Sequence, residues 1–455
     1  MTLTEKILAR ASGKSHVQPG DNVWVQTDVL LTHDVCGPGT IGVFKREFGE
    51  KARVWDRTKI VIIPDHYIFT ADSLSNRNVD ILRDFVREQD IPYFYDVIDD
   101  PNGSWKFDAS KGQLKRQYGS RYAGVCHTAL PEKGHTRPGE VLFGTDSHTC
   151  MAGAFGLFAT GIGNTDAGFI FGTGKLLIKV PPTMRFYLEG SLSRGVMAKD
   201  VILHVIGEIG FDGATYRAMQ YEGPGASALN MDDRMTITNM AIEAGGKNGI
   251  FPADQTTFDY VDSRIRANGT QSEYTPVELD RDQTFVHDQV IDLSALEPTV
   301  AMHPNPGNRA PAKTLGHIGL DRAYIGSCTG GKTSDFLAFA EVVRGRKLKL
   351  DTFGVPATPQ VVDDLHKLQM GGESVWSILE SAGVQLTENA SCAACLGGPG
   401  DTFGRLNTPM KCISATNRNF PGRMGNKQSE VFLASPYTVA ASALTGKITD
   451  PREFL

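Results

Sequence analysis

Cys392 and Cys395 form a C-x-x-C within SCAACLGGPG, and a third cysteine, Cys328, lies in GSCTGGKT. Three thiolates from two loops can hold three irons of a cubane [4Fe–4S] cluster and leave the fourth iron open to water or substrate. The C-x-x-C by itself fits a buried or redox-active pair equally well. A zinc site would ask for a fourth Cys or His near by. Gly326, Gly330, Gly331, Gly397 and Gly398 flank the two motifs, so backbone N–H groups can come close to a bound group. Cys36, Cys126, Cys150 and Cys412 have no such spacing and read as small hydrophobes. Cys126 and Cys150 stand beside His127 and His148, where they could line one pocket without ligating.

The segment Gly326–Thr333 competes for a second chemistry. It reads G-S-C-T-G-G-K-T, a formal match to the phosphate-binding loop of nucleotide triphosphatases, with a strand expected before it and a helix after it. Against that reading, no apolar strand ending in a magnesium-binding Asp follows downstream. The rival also leaves Cys392 and Cys395 unexplained.

These residues need elements to hold them. Short β-branched runs alternate with runs of helical period, the pattern of an α/β chain. Four apolar runs end in polar or sulfur-bearing residues. Residues 58–63 lead into Asp65-His66, and 140–143 into Asp146-Ser147-His148. Residues 322–325 lead into Cys328, and 411–415 into Asn417-Arg418. Open α/β sheets bind ligands beyond the carboxyl ends of their strands, so the candidate residues recur where such a fold does chemistry. The double proline in VPPTMRFYLEG (180–190) marks a boundary before a new strand. Residues 265–313, rich in Asp, Asn, Pro and Thr, read as an irregular excursion into a last domain near 300. The charged stretch 99–124 reads as a surface loop.

With 455 residues and 40% hydrophobic content the chain has room for two to four cores. A formal net charge of -6 does not suit a protein whose main partner is nucleic acid. Seven cysteines in this length are too sparse for a disulfide scaffold. The first residues lack the apolar core of a signal peptide. The apolar region 154–174 carries Asn164 and Asp166, unlike a membrane span. A soluble protein of a reducing compartment is expected: cytoplasmic, or the plastid stroma for a processed chain.

PDHYIFT, GVCHTALPEKGH, FGTDSHTCMAGAFG, TNMAIEAGGKNG, YIGSCTGGKT, SCAACLGGP and TNRNFPGRMG occur in this order. On these motifs the chain resembles the aconitase superfamily over nearly its whole length, most closely its isopropylmalate dehydratase branch. The resemblance implies three α/β domains around a cluster-containing cleft, here 1–185, 186–300 and 301–455. It implies a [4Fe–4S] cluster on Cys328, Cys392 and Cys395. It also implies the His–carboxylate pairs Asp65 with His66, Asp146 with His127, and Glu243 with His148. Arg418 and Arg423 match the family's arginines near substrate and cluster. Ser147, Asn239 and Asn417 fall in these motifs, and His33 and Asp34, in LLTHDVCGPGT, match an N-terminal pocket motif of the family less exactly. Taken singly, each histidine, Asp146 as a helix cap, or Arg418 as a surface cation fits a structural role at least as well.

No segment matches the fourth, swivelling domain, which supplies a base serine in single-chain aconitases. The resemblance therefore implies a small-subunit partner that carries it, and dehydration and rehydration of a small hydroxy-dicarboxylic acid. Implied substrates are isopropylmalates, as in leucine biosynthesis, with homoaconitate or methylmalate- and citraconate-type acids as alternatives.

Overall fold

The computed structural model describes residues 1–100, 107–270 and 273–455. Three larger sheets follow one another along the chain. The first has five parallel strands in the order Tyr93–Phe94, Ile60–Ile62, Val29–Thr32, Val141–Gly144, Phe158–Gly161. Its three central strands are buried along their whole length. That is why they read as continuous apolar runs and not as alternations.

The second sheet is also parallel, in the order Asn248–Ile250, Ala218–Glu222, Thr183–Glu189, His287–Asp292. Thr183–Glu189 begins directly after the double proline. The third sheet has seven strands, in the order Arg309–Pro311, Thr299–Ala301, Glu430–Ala434, Lys411–Ser414, Arg322–Ile325, Asp351–Gly354, Val384–Leu386. Five of them run parallel, and the first two are antiparallel additions at one edge.

One expectation needs correcting. Residues 265–313 are not an irregular excursion: they hold the edge strand His287–Asp292 and the antiparallel pair at the edge of the large sheet. His287–Asp292 has one buried residue, Ile291, so as a solvated edge strand it carries little apolar signal. The stretch 99–124 lies partly outside the described residues, at 101–106. Its remainder runs along the surface as expected, exposed or half-buried from 107 to 121, and also works as a clamp. Buried Tyr122 donates its hydroxyl to Ala390 O. Asn389 donates to Lys115 O at 2.8 Å and accepts from Gln117 N at 2.9 Å. Gln113 donates to Asp401 O at 3.0 Å. These bonds grip the segment that carries Cys392 and Cys395.

The core beneath the site crosses domain-sized units. Val29, Leu31 and Val61 of the first sheet, and Ile63 just after it, share one apolar cluster with Met231 and Met235, and with all three motif cysteines. Cys392 N donates to Asp65 O at 2.9 Å, which ties the C-x-x-C backbone to the end of a strand in the first sheet.

Candidate active site

His33, His66, Asp146, Cys328 and Asn417 all sit just beyond the carboxyl ends of parallel strands. They meet at a cleft of about 300 Å³. Its walls include His33, His66, His127, Asp146, Ser147, His148, the three motif cysteines, Asn417, Arg418 and Arg423.

Asp65 is fully buried below His66. One carboxylate oxygen takes His66 Nδ1 at 2.7 Å, and the other accepts from Cys126 N at 2.8 Å. Burial pulls the His66 imidazole down, but Asp65, with Asp34 and Asp146 behind it, outweighs burial and pushes it up to about 10. Nδ1 is committed to Asp65, so Nε2 is the nitrogen left for the cleft. The His33 ring lies against His66 at 4.8 Å. Burial first, then the His66 charge, lowers His33.

Asp146 works twice. Its Oδ1 caps the short helix Ser147–Phe155 by accepting from His148 N at 2.7 Å. The same oxygen takes His127 Nε2 at 2.8 Å. His148 Nε2 bonds Glu243 Oε1 at 2.8 Å, and Arg418 Nε donates to that oxygen at 2.6 Å. Burial and Arg418 lower His148, yet bonds to Asp146 and Glu243 carry it up to about 9.

The three sulfurs are buried and free of disulfides. Asn239 Nδ2 lies 3.0 Å from Cys328 Sγ, and Asn417 Nδ2 lies 3.5 Å from it. Cys395 Sγ lies 3.3 Å from Asn417 Oδ1 and 3.8 Å from Arg423 Nη2. Among the described residues, two groups have ligand atoms all within 4.8 Å of one another: His33, Asp34, Asp65 and His66, and His127, Asp146 and His148. Three buried thiols facing a cleft, with amide and guanidinium donors turned to the sulfurs, fit the ligand set of an iron–sulfur cluster.

Gly330 allows this convergence. A Cβ there would stand 2.4 Å from Ala415 Cβ and 2.5 Å from Ala415 O, so only glycine lets the Cys328 loop lie against residues 415–417.

Other candidates are used differently. Asp34 does not line the cleft: its two oxygens accept from the backbone N–H groups of Asp65, His66 and Tyr67. It holds the His66 turn in place. Asn239 and Glu243 stand behind the wall, holding Cys328 and the His148–Arg418 pair. Cys126 and Cys150 do not line the cleft, whereas Cys36, Val35, Thr145 and Leu396 do. Nothing in their sequence spacing marked these four.

The phosphate-loop reading fails on Lys332. Its Nζ is buried against Thr329 O, Thr236 Oγ1 and Asp335 Oδ2, each at 2.9 Å. The ammonium is turned inward and cannot reach a bound nucleotide.

The aconitase family (aconitate hydratase) profile matches residues 5–317 and 308–446. The chain is 58% identical over 460 residues to the 3-isopropylmalate dehydratase large subunit, chloroplastic, of Arabidopsis thaliana, covering 100% of this chain and 87% of that protein. It is 44% identical to 3-isopropylmalate dehydratase large subunit 1 of Methanopyrus kandleri, over 100% of this chain and 99% of the relative. A large subunit of the same name from Acetivibrio thermocellus is 40% identical over the same shares. No helix among the described residues is long and apolar enough to cross a membrane. With the family profile spanning both ends of the cleft, and relatives aligned along its whole length, the chain belongs to the aconitase family.

Proposed function

We propose that the chain is the cluster-bearing large subunit of a hydro-lyase that interconverts 2-isopropylmalate and 3-isopropylmalate through 2-isopropylmaleate, a step of leucine biosynthesis. The observation that carries this reading is the meeting of three buried sulfurs, three His–carboxylate pairs and two arginines on one cleft. Full-length likeness to proteins named 3-isopropylmalate dehydratase large subunit supports the substrate class.

Cys328, Cys392 and Cys395 would hold a [4Fe–4S] cluster, whose open iron supplies Lewis acidity toward a hydroxyl and a carboxylate when bound. The protein's own groups do the rest. His66, charged at neutral pH and oriented by Asp65, delivers a proton from Nε2 to the departing hydroxyl and takes one back on rehydration. Arg418, fixed by Glu243, and Arg423, beside Cys395, present guanidinium forks to substrate carboxylates. Ser147 and Asn417 add hydrogen-bonding groups at the cleft wall. The carbon-bound proton is taken by a serine of a small-subunit partner, which also closes the cleft to water.

The reading is tested by anaerobic reconstitution of the chain with iron and sulfide, followed by hydration of 2-isopropylmaleate with and without a small subunit. Iron uptake, negligible activity alone and strong activity with the partner are expected. Full activity from the chain by itself would overturn the two-subunit reading. Faster turnover of homoaconitate or citraconate would move the substrate assignment.

A further inference from the structure

Lys199, on the helix Ala198–Ile209, is a buried cation that the proposed mechanism does not use. It is 2% exposed. Its Nζ donates to Ala415 O at 3.0 Å and to Thr416 O at 2.8 Å. Among the described residues no carboxylate lies within 4.0 Å of it. Lys332, the other buried lysine near by, is paired with Asp335 at 2.9 Å. A buried ammonium facing only carbonyl dipoles is costly unless negative charge stands close.

The surroundings say where that charge lies. Ala415 O also accepts from Thr329 Oγ1 at 3.0 Å, and Thr329 follows Cys328 directly. Thr416 precedes Asn417, whose side chain touches both Cys328 Sγ and Cys395 Sγ. Lys199 thus stands one layer of backbone behind two of the three sulfurs. Burial and then Lys332 pull its ammonium down to about 7, while Asp335, Cys328 and Cys395 act to keep it charged. Three thiolates around a dipositive cluster core leave net negative charge, and one-electron reduction adds more.

We propose that Lys199 is the buried counter-charge of the cysteine cradle, a positioning residue that sets how firmly the cluster is held and how readily it is reduced. This rests on the cluster assignment made above. Lys199→Gln keeps a donor for the two carbonyls and removes the charge, while Lys199→Met removes both. The full chain of each variant is reconstituted anaerobically with iron and sulfide. Cluster potential is then read by redox titration followed by electron paramagnetic resonance, and iron release by chelator trapping.

Both variants are expected to be reduced at a more negative potential and to release iron several-fold faster than wild type. The iron-free chain should melt no lower than wild type, since an unneutralised charge has gone. Unchanged potential and iron release in Lys199→Gln would overturn the proposal. So would a fall in melting temperature of equal size in iron-free and loaded chains, the mark of a packing role alone. If Lys199→Met does not fold, the potential of Lys199→Gln decides. A wild-type chain that takes up no iron overturns the cluster assignment itself and this proposal with it.

Discussion

His148 and Arg418 meet on a single oxygen: His148 Nε2 at 2.8 Å and Arg418 Nε at 2.6 Å both bond Glu243 Oε1. One buried carboxylate, on the short helix Met240–Ala244, therefore aims both an imidazole and a guanidinium at the cleft. Glu243→Gln removes the charge that both groups depend on. Each charge-assisted bond is worth roughly 1.5–3 kcal/mol. Turnover of the two-subunit enzyme is expected to fall about 10²-fold or more, with a raised KM, while iron content stays at wild-type level. Steady-state kinetics alongside iron analysis check this, and a variant that instead lost its iron would place Glu243 in cluster retention.

The ligand assignment separates the cysteines sharply. Cys328→Ser, Cys392→Ser and Cys395→Ser should each fail to retain a cluster after anaerobic reconstitution. Cys150→Ser and Cys412→Ser should load normally, because those thiols are buried away from the cleft. Cys36→Ser should also load, although Cys36 lines the cleft and its loss can slow turnover. Iron and sulfide counts decide each case.

His66→Ala should lower turnover by about 10²–10⁴-fold, the usual cost of one general acid, with the cluster absorbance intact. Asp65→Asn removes the main group that raises His66, leaving burial to lower it. The alkaline limb of the pH–rate profile should then move down by more than one pH unit. An unmoved limb would take proton delivery away from His66.

Stability should carry the same signature. His66 is held at about 10 and His148 at about 9, both above the ordinary 6.5. A raised pKa means that the folded state binds the proton more tightly, so this contribution is complete below pH 6.5 and is lost as pH rises through 9 and 10. The melting temperature of the iron-free chain should decline across that window. The decline should be shallower in His66→Gln, as calorimetry at several pH values would show.

Lys332→Ala should bring no change in nucleotide affinity, since none is expected in the wild type by calorimetric titration with ATP. It should instead destabilise the fold by about 3–5 kcal/mol, the cost of leaving Asp335 buried without its partner, measured by denaturant unfolding.

Much of this was legible in the sequence because its signals are local. Buried parallel strands are continuous apolar runs, so the segments ending at Asp65-His66, Asp146, Cys328 and Asn417 could be read directly. The C-x-x-C and the ordered motifs pointed to a sulfur-bearing cleft before any contact was known. Other features have no local signature. The solvated strand His287–Asp292 lacks apolar periodicity, and the clamp at 113–122 depends on partners nearly 300 residues away. G-x-x-x-x-G-K-T is the same string whether its lysine faces a phosphate or turns inward to Asp335. That both oxygens of Asp34 hold the turn at 65–67 could not be read from the residues around it. Nothing in the residues around Lys199 marks it as a charge buried behind the cysteines. Residue types and strand ends are written along the chain; which oxygen a histidine shares, and where a buried charge finds its opposite, is decided only when distant segments exclude solvent together.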